Sequence, residues 1–302
     1  MFAAGDGLYL YLESGLHVGT GEEGDEVDLP IQRDAATGYP VIPASSLKGA
    51  WRWQVRTRVE PGRWAALFGS PPLVVPREEG CLAFADARVL LYPVRSLKDV
   101  FAWITSAESW TTHRRELAAY GLDVSGLPDV APPGAEAAVV EAGSPLVTVK
   151  NTIVLEELSF AAQPRKEATA LGNWLADHAF PQDTAYEHWR RKVRQAVVVL
   201  PDDAFRHFVV HRTEIVPRVR IDPATGTVAE GALWTEEFVP AEALFYAAVG
   251  ALPRKTEDTR SPPPETALGW LKETGMEYVH LGGDRTLGKG IVRLRWLRPN
   301  AA

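Results

Sequence analysis

Two side chains near the start of the chain could move a proton at neutral pH. His17 and Asp28 bracket the first loop, in which Gly15 to Val27 is glycine-rich and acidic. An imidazole can serve as acid or base there, and a carboxylate can hold a metal or orient a hydroxyl. Taken alone, a loop carboxylate with no arginine near it in sequence is an ordinary solvated acid. Glu230, Glu236 and Glu237 have the same standing further along. Ser45-Ser46-Leu47-Lys48-Gly49 suggests anion binding instead. The serines read as a helix N-cap, and a helix start offers free amides and positive dipole. Lys48 in that first turn is unfavourable for the helix unless an anion offsets it. A plain serine cap with a solvated lysine fits these five residues equally well.

Gly282 to Gly290 nearly matches a phosphate-cradling loop, with Gly283, Gly288 and Lys289 at the right spacing. Gly290 stands where a metal-binding hydroxyl belongs, and Ile291 to Trp296 alternates like a strand rather than a helix, which argues against nucleotide hydrolysis. The loop could still approach a phosphodiester, with Arg285 and Lys289 supplying charge. On the loop alone, a hairpin turn needing glycine is favoured. His207 and His211 share a helix face but lack the glutamate of a zinc-protease helix and any third ligand, so they read as surface histidines.

These residues need elements to hold them. Leu8 to Leu12 can open a sheet, and Leu47, Trp51, Val55 and Val59 repeat at helical spacing after the Ser45-Ser46 cap. Cys81 to Leu91, Ala196 to Leu200, Met276 to His280 and Ile291 to Trp296 read as strands. Tyr186 to Gln195 and Thr266 to Thr274 read as helices, and Asp202 or Asp203 should cap another through Phe205, Phe208 and Val209. Glu214 to Ile221, the turn Asp222 to Gly226, and Gly231 to Val239 form a hairpin. Gly121 to Gly143 reads as a surface excursion and Ala161 to Asp183 as an irregular insertion. Strands and helices mixed without regular βαβ spacing give an α+β fold around an antiparallel sheet.

Of 302 residues, 46% are hydrophobic and 24% charged, enough apolar material for a core and too much for a disordered chain. The net charge of −7 excludes a diffusely basic nucleic-acid coat. Basic residues nonetheless gather at Arg52 to Arg63, Arg190 to Arg194, Arg212 to Arg220 and Arg285 to Arg295, among Trp51, Trp53, Trp64, Trp189 and Trp296. Aromatic faces beside guanidinium groups suit single-stranded nucleic acid. Cys81 is the single cysteine, so no intrachain disulfide forms. No signal peptide or membrane-spanning run is evident, and a cytoplasmic location is expected.

In combination the motifs become specific. Val27-Asp28-Leu29-Pro30-Ile31-Gln32-Arg33 and Gly38-Tyr39-Pro40-Val41-Ile42-Pro43-Ala44-Ser45-Ser46-Leu47-Lys48-Gly49 resemble the RAMP superfamily of CRISPR effector proteins. Arg220 to Leu233 and Leu281 to Gly290 narrow the resemblance to the repeated backbone subunit of type III-B (Cmr) complexes. It covers nearly the whole chain as a single domain, 1–302. It implies a ferredoxin-like (RRM-like) core with large insertions named palm, thumb and fingers, the thumb being a hairpin around 214–240. It further implies copies stacked helically along a CRISPR RNA beside other Cmr subunits, without a membrane, each copy cutting bound target RNA at regular intervals. Asp28 would then be the cutting residue, alone or with a divalent ion such as magnesium. His17 would assist as acid to the leaving 5′-oxygen, with Glu230 as the thumb glutamate unless Glu236 or Glu237 takes that place. Lys48 would meet guide phosphate at the helix start, with Ser45, Ser46, Arg52, Arg285 and Lys289 also facing RNA. A non-catalytic RNA scaffold and a precursor-RNA processing nuclease of related fold are the rival readings.

Overall fold

Leu8, Leu10 and Leu12 fall in one buried cluster, and Tyr9 and Tyr11 in another. Successive strand residues face opposite ways, so the first strand is buried on both sides and must lie inside a covered sheet. The computed structural model describes residues 2–21, 24, 26–70, 79–253 and 262–297. Glu22, Glu23 and Asp25 of the acidic loop lie outside the described residues.

In chain order, β1 (Ala4–Leu12) and a short β2 (Val41–Ile42) lead to α1 (Ala44–Val55) and α2 (Pro61–Phe68). Then come β3 (Leu82–Phe84), β4 (Ala87–Arg95), β5 (Phe101–Ser106) and α3 (Ala107–Ala119). Next are β6 (Ala137–Val140), β7 (Thr152–Leu155), β8 (Leu158–Pro164) and α4 (Lys166–Trp174). These are followed by α5 (Glu187–Ala196), β9 (Val197–Leu200), α6 (Asp202–His211), β10 (Glu214–Ile221) and β11 (Val228–Phe238). The chain closes with β12 (Leu244–Ala251), α7 (Pro264–Glu273), β13 (Tyr278–His280) and β14 (Ile291–Trp296).

The centre of the sheet runs β14-β1-β12-β4. Neighbours there are antiparallel, and the connections β1–α1–β4 and β12–α7–β14 each skip one strand. Two interleaved split βαβ units of this kind make a ferredoxin-like core, the expected fold. Beyond β4 the same sheet continues through β5, β9, β6, β8 and β7. Helices α1, α2, α6 and α7 cover the leucine face of β1, through residues such as Trp51, Phe68, Phe205 and Leu271. Helices α3, α4 and α5 cover the tyrosine face through Trp110, Leu171 and Val193. β10 and β11 form a separate two-stranded ribbon outside the main sheet. Ile215, Val219, Ile221, Val228 and Leu233 of that ribbon are exposed.

Several local expectations need correction. Ala161 to Asp183 is no irregular insertion: β8 ends there, α4 follows, and Ala168, Leu171 and Leu175 are fully buried. The i, i+3, i+7 spacing of those residues was masked by the polar residues between them. Gly121 to Gly143 contains β6, whose four residues are all buried. Neither expected side-chain cap forms. α1 starts after Pro43, and the Ala44 amide donates to the Asp86 carboxylate at 2.7 Å, so Ser45 and Ser46 lie inside the first turn. α6 starts after Pro201, and Asp202 instead accepts the Glu108 amide of α3 at 3.0 Å. Proline at each cap presets the extended entry, and a distant carboxylate supplies the acceptor at α1.

Candidate active site

The loop after β1 is laced to the root of the hairpin. The Leu29 amide donates to the Thr235 carbonyl at 3.0 Å, and the Glu237 amide to the Leu29 carbonyl at 3.1 Å. Between them Asp28 is fixed at both ends. Its amide donates to Thr235 Oγ1 at 3.0 Å, and its Oδ2 accepts the Thr235 amide at 2.6 Å and the Thr235 hydroxyl at 2.8 Å. Asp28 stays exposed. The Thr235 hydroxyl, then its amide, stabilise the ionised form and hold the Asp28 carboxyl below its ordinary range. The result is an ionised carboxylate of fixed direction facing solvent.

His17 sits against the next residues of the same strand. Leu16 and Val239 exchange amide-to-carbonyl bonds of 2.9 Å, which bring the ring beside β11. His17 Nδ1 lies 2.8 Å from the Glu237 carbonyl. A carbonyl only accepts, so Nδ1 carries the proton and Nε2 is the nitrogen left for chemistry. The ring lies 5.6 Å from that of Phe238. Behind it, the Gly283 amide donates to the His17 carbonyl at 2.9 Å. Gly282 has φ +73°, and a Cβ there would run into that same carbonyl oxygen. The glycine loop therefore serves first to let the backbone of His17 pack closely. It is followed by β14 rather than a helix, as the sequence indicated.

The three glutamates of the hairpin separate. Glu237 is buried and structural: it pairs with Arg33, accepts the Thr213 hydroxyl at 2.7 Å and accepts the Ile31 amide at 3.0 Å. Glu236 accepts the Trp234 indole N–H at 2.9 Å and pairs with Arg218 at 3.0 Å. The second arm of Arg218 reaches Asp284 at 2.9 Å, joining hairpin to glycine loop. Burial, and then the Glu236 carboxylate beside it, raise the Asp284 carboxyl above its ordinary range. Glu230 is exposed on the outer part of β11. It lies six residues from Glu236, about 20 Å along a strand. Within one chain the fold brings Asp28 and His17 to one root and leaves Glu230 apart.

Candidate anion contacts lie along α1 and the glycine loop. Lys48 is half-buried, and its Nζ donates to the Leu82 carbonyl at 2.7 Å, leaving two donor hydrogens for a ligand. Burial lowers its pKa from the usual lysine value. Ser45, Lys48 and Arg52 line one groove. Arg52 also donates to the Ser70 carbonyl at 3.0 Å and lies 4.6 Å over the Trp64 ring, so part of its charge serves packing. Lys289 lies 4.7 Å over Phe238 near the hairpin root, while Arg285 is exposed. Trp51 is fully buried and belongs to the core, whereas Trp53 is 59% exposed. His207 and His211 have rings 5.4 Å apart on α6, and among the described residues they belong to no group of three that could hold a metal ion.

Among the described residues, no three His, Cys, Asp or Glu side chains form a set that could hold a metal ion. Among the described residues, the Asp28 carboxylate is held by Thr235. Thr235, Arg218 and Asp284 carry no signal in the sequence. No local motif marks them, because each acts on a residue remote in sequence.

The described residues contain no helix long and apolar enough to cross a membrane. The family model described as the RAMP superfamily matches residues 9–293. The CRISPR system Cmr endoribonuclease Cmr4 of Pyrococcus furiosus is 34% identical over 288 residues, covering 94% of this chain and 93% of the relative. The crystal structure of oligomeric Cmr4 from Pyrococcus furiosus superposes with a TM-score of 0.72 at 26% identity, covering 97% of each chain. A chain of the type III-B Cmr-beta complex bound to cognate target RNA gives a TM-score of 0.72 at 24% identity, covering 98% of each chain, a likeness of fold.

Proposed function

Because the chain belongs to the RAMP superfamily, we propose that it is the target-RNA-cleaving backbone subunit of a type III-B CRISPR effector. It is an endoribonuclease that assembles with copies of itself and other Cmr subunits on a guide RNA, and it works in the cytoplasm. The observation that carries the reading is the exposed, ionised Asp28 carboxylate locked to Thr235 at the root of a ribbon outside the main sheet.

RNA carries its own nucleophile. Cleavage needs the 2′-oxygen brought in line with the phosphorus, so positioning supplies much of the rate. The exposed hairpin, read as the thumb, wedges between guide and target and splays one nucleotide. Asp28 accepts the hydrogen bond of the 2′-hydroxyl, orients its oxygen and takes its proton as the 2′-O–P bond forms. The P–O5′ bond breaks, and His17, entering as the imidazolium with a second proton on Nε2, donates that proton to the leaving 5′-oxygen, while Nδ1 keeps its bond to the Glu237 carbonyl. Thr235 keeps Asp28 ionised for this. Lys48, with Ser45, Ser46 and Arg52, takes guide phosphate at the start of α1, and Arg285 and Lys289 face RNA from the glycine loop. A divalent ion at this site would take a carboxylate oxygen from Asp28 and complete its shell with RNA and water.

The test is target cleavage by reconstituted complex carrying Asp28→Ala, beside a gel shift for target binding. Loss of every evenly spaced cut with binding intact supports the reading. Full cutting overturns Asp28 as the catalytic group, and loss of binding as well favours a scaffold.

A further inference from the structure

One strongly basic pocket shares only Arg285 with the RNA-facing residues named above. It has a volume of about 370 Å³ and sits between the last turn of α1 and β13, within the size range of small-ligand pockets. Gln54 pins its two walls, donating to the His280 carbonyl at 3.2 Å and accepting the His280 amide at 3.2 Å. Met276, 6% exposed, forms part of the lining. The rest of the lining is Trp53, Arg56, Arg58, Tyr278 and Arg285.

That lining contains no acidic residue, in a chain whose net charge is −7. Arg56, Arg58 and Arg285 form no ion pair among the described residues. The two nearby acids are engaged elsewhere: Glu277 by Arg293 at 2.6 Å and Asp284 by Arg218 at 2.9 Å. A helix end favours one cation through its dipole, which accounts for Arg56 but not for Arg58 and Arg285. Trp53 and Tyr278 remain 59% and 48% exposed, unusual for rings of that size. Guanidinium groups lie over them, Arg56 at 3.5 Å from the Trp53 centroid and Arg293 at 4.5 Å from that of Tyr278.

We propose that this pocket binds one unstacked nucleotide of single-stranded RNA, the base on the Trp53 or Tyr278 ring and the phosphate on Arg58 and Arg285. Open rings beside unpaired guanidinium groups match both halves of a nucleotide. Position agrees. Arg285 adjoins Asp284, which is tied to the hairpin root, and Arg56 lies eight residues beyond Lys48 on α1, about 12 Å along the helix. A strand contacting Lys48 and the hairpin root can therefore reach the pocket. The inference rests on the RNA-binding function above and adds a stacking contact to it.

The test uses the full-length chain and a fluorescein-labelled, unstructured oligoribonucleotide of mixed sequence, read by anisotropy across salt. Trp53→Ala should weaken binding about tenfold, the order of one lost base stack, and Trp53→Phe should restore most of it. Arg58→Gln with Arg285→Gln should lower the salt slope by roughly two. If these variants bind as the wild type while Lys48→Ala is weakened, the pocket inference fails and the RNA-binding function stands. If the wild-type chain binds no RNA, both fail. Displacement of the oligonucleotide by an equal concentration of adenosine monophosphate would make this a free-nucleotide site and overturn the assignment to a strand.

Discussion

Asp28 and Thr235 are 207 residues apart, yet they exchange three hydrogen bonds within one small ring of contacts. The carboxylate takes its direction from the strand that forms the hairpin. Any displacement of the hairpin root therefore displaces the proposed catalytic group.

Asp28→Ala should slow target cutting by roughly 10²–10⁴-fold, the usual worth of one positioned acid–base group. Asp28 is exposed on a loop, so folding and target binding should change little. Because each stacked copy carries the same residue, all cuts should vanish together on a denaturing gel.

Thr235→Val keeps the shape and removes the hydroxyl. That hydroxyl is the largest influence holding the Asp28 carboxyl down, so its pKa should rise. The carboxylate would then be lost at higher pH, and the acid limb of the cleavage profile should move toward neutral. An unmoved limb would show that Thr235 does not tune the group.

Lys48→Ala should lower the salt slope of guide binding by about one and weaken all guide sequences alike. Binding isotherms at several salt concentrations, with two unrelated guides, check both statements.

Gly282→Ala forces a side chain onto the His17 carbonyl at a left-handed φ of +73°. The backbone conformation alone should cost about 1–2 kcal/mol, with more from the collision. Denaturant unfolding should show the loss, and cutting should fall as His17 shifts. Gly49→Ala, where an added Cβ meets nothing, is the control.

Fully buried His113 bonds through Nε2 to the Tyr9 hydroxyl at 3.0 Å, and burial pushes its pKa down to about 3. Unfolded, it titrates near 6.5. Between those values the unfolded chain binds the extra proton, so stability should fall as pH drops below about 6.5. Melting temperatures from pH 8 to pH 5 measure this. His113→Phe, whatever its basal stability, should flatten that limb.

Much of the frame was legible because local pattern determines it. Ile291 to Trp296 alternates and is β14, and Leu47, Trp51 and Val55 repeat at helical spacing and form the buried face of α1. The hairpin was visible in its turn chemistry, and the motifs around Asp28 and Lys48 carried the family. Helix starts were not legible: Ser45 and Asp202 look like caps, but Pro43 and Pro201 occupy those positions. For α1 the acceptor is Asp86, on a distant turn.

The sequence by itself determined the periodicities, the family and the identity of the candidate groups, since these depend on near neighbours along the chain. Only the tertiary structure decided which groups meet. It paired Asp28 with Thr235, turned His17 Nδ1 to the Glu237 carbonyl, gave Glu237 to the core and left Glu230 outside. Each of these follows from β11 packing against a loop some two hundred residues earlier. Pairing between distant segments is set by the packing of the whole sheet, and no local spacing encodes it.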